Sequence, residues 1–136
     1  MDPITAVQTV DSLISLIKFC CDIWQTIQEF RHGDESLAEL YRDTETFIEF
    51  LKGFKRVLMH LRLNHNIRLN VLKSALQDAL NTVRRFETRM NSIKNTKITV
   101  TRRLKWLKSR AEFQKFRDGI MKHDIKLNAI LSSIIA

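Results

Sequence analysis

The sequence predicts an all-α protein, an antiparallel four-helix bundle with a short extra helix before the last long one, on three observations. There are only three Gly and one Pro in 136 residues, so turn punctuation is scarce, and abundant Leu, Ile, Lys and Arg favour helix over sheet. Apolar side chains recur at three- and four-residue spacing through four long stretches, the period of an amphipathic helix. Short breaks separate those stretches, which makes an antiparallel bundle the natural architecture. The length fits one domain, residues 1–136, with room for a buried core.

The first helix is expected over 3–31. Asp2 can cap it, and Pro3 suits the first helical position, where its missing N–H is harmless. On a helical wheel, Asp11, Ser15, Lys18, Asp22, Gln25 and Glu29 share one side. Val7, Val10, Ile14, Ile17, Cys21 and Trp24 form one apolar seam. Leu13, Leu16, Cys20, Ile23, Ile27 and Phe30 form a second beside it. Together the seams span roughly 220°, against the ~100° or somewhat more of an ordinary surface helix.

Gly33 stands where a C-terminal cap is wanted, and Asp34 can start the second helix, expected over 35–62. Its seam is Leu37, Leu40, Phe47, Leu51, Phe54, Leu58 and Leu61, with Thr44 the one polar member. A mid-helix Gly53 costs about 1 kcal/mol relative to Ala, so it marks either tight packing, the favoured reading, or a weak point. Asn64-His65-Asn66 breaks the pattern before a third helix over 66–94, with Leu69, Leu72, Leu76, Ala79, Val83, Phe86, Met90 and Ile93 in unbroken alternation. The β-branched NTKITVT reads as a connection and RRLKWLK as a short helix over 101–108. Ser109-Arg110-Ala111-Glu112 has the form of a capping box and opens the last helix, 110–134, carrying Phe113, Phe116, Ile120, Leu127, Ile130 and Ile134.

Net charge is +8 and unevenly spread. Residues 1–50 hold three Lys/Arg against ten Asp/Glu (−7), and residues 51–136 hold twenty against five (+15). Either complementary halves attract one another, or the second half offers a basic surface to nucleic acid or anionic lipid. The opening segment lacks a basic n-region and carries Asp11 early, unlike a signal peptide. Asp11, Lys18 and Asp22 interrupt it, so it is not a conventional span of ~20 apolar residues. The expected location is therefore cytoplasmic. Cys20 and Cys21 are adjacent, which suits small buried hydrophobes in a reducing compartment better than a disulfide framework or a zinc site.

No constellation for catalysis stands out, and neither a cofactor nor a metal is expected. His32, His60, His65 and His123 are scattered, and Gly33, Gly53 and Gly119 are isolated rather than gathered in a phosphate loop. Glu35, Glu39, Asp43, Glu45 and Glu49 read as a solvated face rather than a paired-carboxylate site. A basic tract runs through Arg84, Arg85, Arg89, Lys94, Lys97, Arg102, Arg103, Lys105, Lys108 and Arg110, beside Trp106, which could stack on a base. A nucleic-acid partner nevertheless leaves the apolar width of the first helix unused, and no helix-turn-helix spacing is evident. A membrane role uses both features, because apolar surface can enter the acyl region while Lys/Arg add about 1 kcal/mol each near an anionic leaflet. A structural account also exists: a central helix touching three neighbours needs a wide apolar arc simply to be buried. A passive adaptor bundle that only oligomerises a larger protein is a third reading.

The pairing of MDPITAVQTVDSLISLIKFC with RLKWLKSRAEFQKFRDGIMKHDIKLNAILSSI resembles the fungal HeLo and HeLo-like (HELL) amino-terminal domains. These begin Met-Asp-Pro with an amphipathic helix and carry an Arg-Leu-Lys-Trp-type element before a final helix ending in a Leu-Asn-x-x-Leu-like run. The matching positions are Arg103, Leu104, Lys105 and Trp106, then Leu127, Asn128 and Leu131. The resemblance implies a bundle similar to the four-helix domain of the necroptosis executor pseudokinase and to plant coiled-coil immune-receptor domains. It also implies a cell-death execution module of fungal heterokaryon incompatibility and innate immunity, which permeabilises the plasma membrane once an amyloid-signalling motif or receptor oligomerises it. No such motif occurs before Ala136, so a regulatory tail is expected to be absent here.

The mechanism expected on this basis gives the first helix two roles. Its apolar residues Ile4, Val7, Val10, Leu13, Ile14, Leu16, Ile17 and Trp24 are covered by helices 2–4 in the monomer and enter the membrane, several copies together, on oligomerisation. Asp11, Ser15, Lys18 and Asp22 then face a water-filled lumen, which avoids most of the cost of placing charge in lipid. Arg84, Arg85, Arg89, Arg102, Arg103, Lys105, Lys108 and Arg110 contact anionic headgroups. The partners expected are anionic lipids, further copies of the chain and an amyloid-signalling receptor, and the protein moves from cytoplasm to plasma membrane on activation.

Overall fold

The computed structural model describes residues 3–30, 35–60, 69–95, 104–106 and 108–135. All regular structure among them is helical: α1 Pro3–Phe30, α2 Glu35–His60, α3 Leu69–Lys94 and α4 Arg110–Ile135. Residues 104–106 and 108 are also helical, just ahead of α4. The described helices fall within the expected bounds except that α4 runs to Ile135, one residue past the expected 134. Residues 31, 61–62, 66–68, 101–103 and 107, which the expected helices also include, lie outside the described residues, as do the caps assigned to Asp2, Gly33, Asp34 and Asn64-His65-Asn66.

The helices pack against each other around one apolar core. Its α2 contribution is the anticipated seam, with Leu37, Leu40, Phe47, Leu51, Phe54 and Leu58 all buried. Thr44 is also fully buried, and its hydroxyl donates to the Leu40 carbonyl at 2.7 Å. That bond explains how a polar residue occupies the seam without a desolvation penalty. In α3 the alternating residues from Leu72 to Ile93 are buried without exception. In α4 Phe113, Phe116, Ile120, Leu127 and Ile130 complete the core.

α1 packs on α2 and α3, and α4 packs on α3 and α2. Gln8 meets Lys73, Phe19 meets Arg84 and Glu29 meets Lys94, all at one offset of 65 residues. α1 and α3 therefore lie side by side and run the same way. α3 and α4 run oppositely, because Arg89 pairs with Glu112 while Asp78 pairs with Lys126. Late in α1, Trp24 stacks on Tyr41 early in α2, with ring centroids 4.8 Å apart.

Two local expectations change. Gly53 is not at a tight contact: a Cβ there would meet only Arg56 Nη2, at 3.9 Å. The close approach is at Gly119 of α4, where a Cβ would lie 3.1 Å from Thr82 Cγ2 of α3. Both residues of the expected capping box are engaged by α3. Arg89 Nε donates to Ser109 Oγ at 3.1 Å and lies 2.9 Å from Glu112 Oε2, while Ser109 Oγ donates to the Lys105 carbonyl. The two side chains thus fasten the start of α4 sideways to α3 and back to the preceding turn instead of closing the expected capping box, whose Ser109 N–H goes to the Trp106 carbonyl.

Candidate functional site

The site is built on α1, whose two apolar seams meet different fates. Leu13, Leu16, Cys20, Ile23 and Ile27 are essentially fully buried. In the neighbouring seam Val10, Ile17, Cys21 and Trp24 are half-buried, while Val7 is 60% and Ile14 44% exposed. This corrects the expectation that Val7 and Ile14 are covered by helices 2–4. The reason is geometric: α1 lies chiefly against two helices, α2 and α3, and two neighbours do not close over so wide an arc. Ile4 falls within α1, but its side chain lies outside the described residues.

Of the polar stripe, Asp11, Lys18 and Asp22 are exposed and Ser15 is half-buried. Val7, Asp11, Ile14 and Lys18 therefore share one outward face on which apolar and charged groups alternate. Beside it α3 contributes Glu87, a residue the sequence reading passed over. Its Oε2 is buried with no hydrogen-bond partner among the described residues. Burial, then the Asp22 carboxylate, push the Glu87 carboxyl above the usual range, partly offset by Lys18 and Arg84. An acidic residue at an odd place in the third-helix pattern was the one available signal, and it carries no mark in sequence of what it faces.

The basic tract divides. Arg84 and Arg85 are exposed, with the Arg84 guanidinium 5.2 Å from the centre of the Phe19 ring of α1, a cation–π contact. Arg89 is half-buried and occupied by Glu112 and Ser109. Lys108 and Arg110 are exposed and Lys105 half-buried, whereas Arg102 and Arg103 lie outside the described residues. The acidic face of α2 is not wholly solvated either. Glu39 and Asp43 accept from Arg117 of α4 at 2.8 and 2.6 Å.

Of the family-like positions, Leu127 is buried, Leu131 packs on the core, Asn128 is exposed and Leu104 is exposed; Arg103 lies outside the described residues. Trp106 is only 9% exposed, its ring 4.7 Å from that of Phe113 at a steep angle. A side chain spent on the core cannot stack on a base, so the aromatic half of the nucleic-acid reading is lost.

Among the described residues no group of His, Cys, Asp and Glu is placed to hold a metal ion. No helix there is long and apolar enough to cross a membrane. Cys20 and Cys21 are free thiols. Burial, followed by the neighbouring Cys21 and Glu87, pushes the Cys20 thiol far above its ordinary range, so it is a poor nucleophile. Across known proteins, no family model, curated protein or solved structure matches this chain.

Proposed function

We propose that this chain is a membrane-permeabilising execution domain that acts through α1 after several copies assemble on an anionic membrane surface. The observation that carries the reading is the exposure of Val7 and Ile14 beside Asp11 and Lys18. An apolar ridge already in contact with water can enter the acyl boundary without first leaving the core. Arg84, Arg85, Lys108 and Arg110, all exposed, add attraction for anionic headgroups. The rest of α1 follows only in company. A lone helix carrying Asp11, Lys18 and Asp22 is poorly suited to lipid, and clustered copies can turn those groups toward a shared aqueous lumen. On this reading the four long helices form a four-helix bundle with a short helix ahead of the last. The resting protein is cytoplasmic and the target is the plasma membrane, as in the HeLo-like domains that the two terminal stretches resemble.

The test is dye release from anionic liposomes, with cross-linked oligomers compared with untreated protein. Wild-type oligomers are expected to leak dye, and a Val7→Lys/Ile14→Lys double variant to lose most of that leakage. Both positions are exposed, so circular dichroism should be unchanged; Leu13 and Leu16, being buried, would report folding instead. Silent oligomers with an intact fold, or equal leakage from the well-folded variant, would overturn the proposal.

A further inference from the structure

We infer that copies of this chain associate head to tail, the outward ridge of α1 in one copy seating in the groove between α3 and α4 of the next. The groove is a cavity of about 670 Å³. Its apolar wall includes Phe86 and Phe116, whose rings stack with centroids 4.0 Å apart. Arg85, Lys115 and Lys122 stand exposed around it. Two carboxylates also line it, but Glu112 is paired with Arg89 and Asp118 accepts from Gln114. The groove thus offers a narrow apolar floor, with Phe86 and Phe116 only 5% and 3% exposed, edged by three cations against the one carboxylate, Asp118, that no cation pairs among the described residues. It faces a ridge in which Asp11 sits between Val7 and Ile14, with Lys18 at its far end.

The two surfaces are separate. The ridge is the outward face of α1, flanked by α2 through the Trp24–Tyr41 stack and by Glu87 of α3, whereas the groove opens between α3 and α4. Charge is divided between the helix pairs. α1 and α2 together carry five Lys/Arg and eight Asp/Glu (−3), whereas α3 and α4 carry ten and five (+5). A molecule with unlike poles orients its copies end to end. Because the two patches differ, each contact leaves a free ridge and a free groove, so growth continues rather than closing at a dimer. The ridge is small, which makes the contact weak and sensitive to salt. This rests on the oligomerisation in the proposed function and concerns the soluble step before membrane entry, so it is measured without lipid.

The experiment is sedimentation equilibrium of the full chain over a wide concentration range at low and high salt. The wild-type average mass should climb with concentration at low salt and fall back to the monomer at high salt. A ridge variant (Val7→Lys/Asp11→Lys) and a groove variant (Lys115→Glu/Lys122→Glu) should each stay monomeric. Mixed in equal amounts, they should form a one-to-one dimer and nothing larger, because one retains only a groove and the other only a ridge. Circular dichroism checks each fold; should the groove variant unfold, Lys115→Gln/Lys122→Gln replaces it, with weakened association expected. A wild type that stays monomeric at low salt, single variants that associate like wild type, or a mixture that stays monomeric would overturn the inference. If the wild type is monomeric and the groove variant instead loses binding to anionic vesicles, the groove is a lipid contact and the docking is refuted, while the proposed function stands. Association without dye release has the reverse meaning.

Discussion

Arg117 of α4 reaches Asp43 of α2 with its Nε 2.6 Å from Oδ2, and the same guanidinium donates to Glu39 at 2.8 Å. One cation is thus held by two carboxylates that sequence reading had assigned to a solvated face. The hydrogen bond to Asp43 is the main reason the Arg117 guanidinium is held so firmly protonated. Arg117→Ala should destabilise by about 1 kcal/mol, a charge-assisted pair discounted for its partial exposure. Asp43→Ala should cost slightly less, since Glu39 remains. Urea unfolding of both single variants and the double measures their coupling, and fully additive losses would show the pair does not interact.

The two helical glycines should answer differently to Ala. A Cβ at Gly53 would make only an ordinary contact, with Arg56 Nη2 at 3.9 Å, so Gly53→Ala should stabilise by about 0.5–1 kcal/mol through helix propensity. Gly119→Ala should gain less or lose, because Thr82 Cγ2 must give way at 3.1 Å. Adding Thr82→Ser, which removes that methyl, should restore the gain. Thermal midpoints of the three variants decide it.

Stability near the acidic side of neutrality should reflect two opposed groups. His123, held below its usual 6.5 chiefly by burial, makes the protein lose stability as pH falls from about 6.5 toward its depressed value, because the unfolded chain takes the proton first. Glu87, held above its usual range, favours the native state as pH falls through its raised value and loses that contribution as pH rises. Urea midpoints across this range should show a shallower acid loss in His123→Gln. In Glu87→Gln the acid loss should be steeper. Glu87→Gln should also be about 0.5 kcal/mol more stable near neutral pH, a small figure because solvent screens much of the charge. Unchanged slopes in both variants would remove these groups as the cause.

Cys20 should report the docking of α1. Its thiol is buried and its pKa strongly raised, so in a Cys21→Ser background a water-soluble thiol reagent should react with it far more slowly than with unfolded protein. On anionic vesicles bearing assembled protein, labelling should stay slow if α1 passes directly from its seat into lipid. A rate that accelerates many-fold during dye leakage would show that Cys20 meets water and that α1 is not received by an apolar medium.

The wheel positions of α2 and α3 were legible because a narrow seam has one way to be buried. Leu40, Phe47, Leu76 and Val83 could be assigned before any contact was known. α1 was harder for the opposite reason. An arc that includes both Leu13 and Ile14 is compatible with three neighbours or with two, and only the arrangement of helices decides which seam is left uncovered. Gly53 misled because position within a helix says nothing of what stands opposite it, whereas Gly119 meets Thr82 on another helix. Arg117, Glu39 and Asp43 lie too far apart in sequence for any periodicity to join them. Charge totals did foreshadow their attraction: acid from the first half meets base from the second here and again at Glu29 and Lys94.

The stripe of Leu13, Leu16, Cys20, Ile23 and Ile27 sets the scale of any departure of α1 from its seat. Exposing those five side chains to water would cost on the order of 10 kcal/mol, as much as the whole folding free energy of a typical domain. Undocking is therefore closer to partial melting than to the swing of a hinge. It can occur only where another apolar medium receives the same side chains in the same event. The lining left behind on α2 and α3 would be equally bare, so whatever takes up the departing helix must also shelter the wall it leaves.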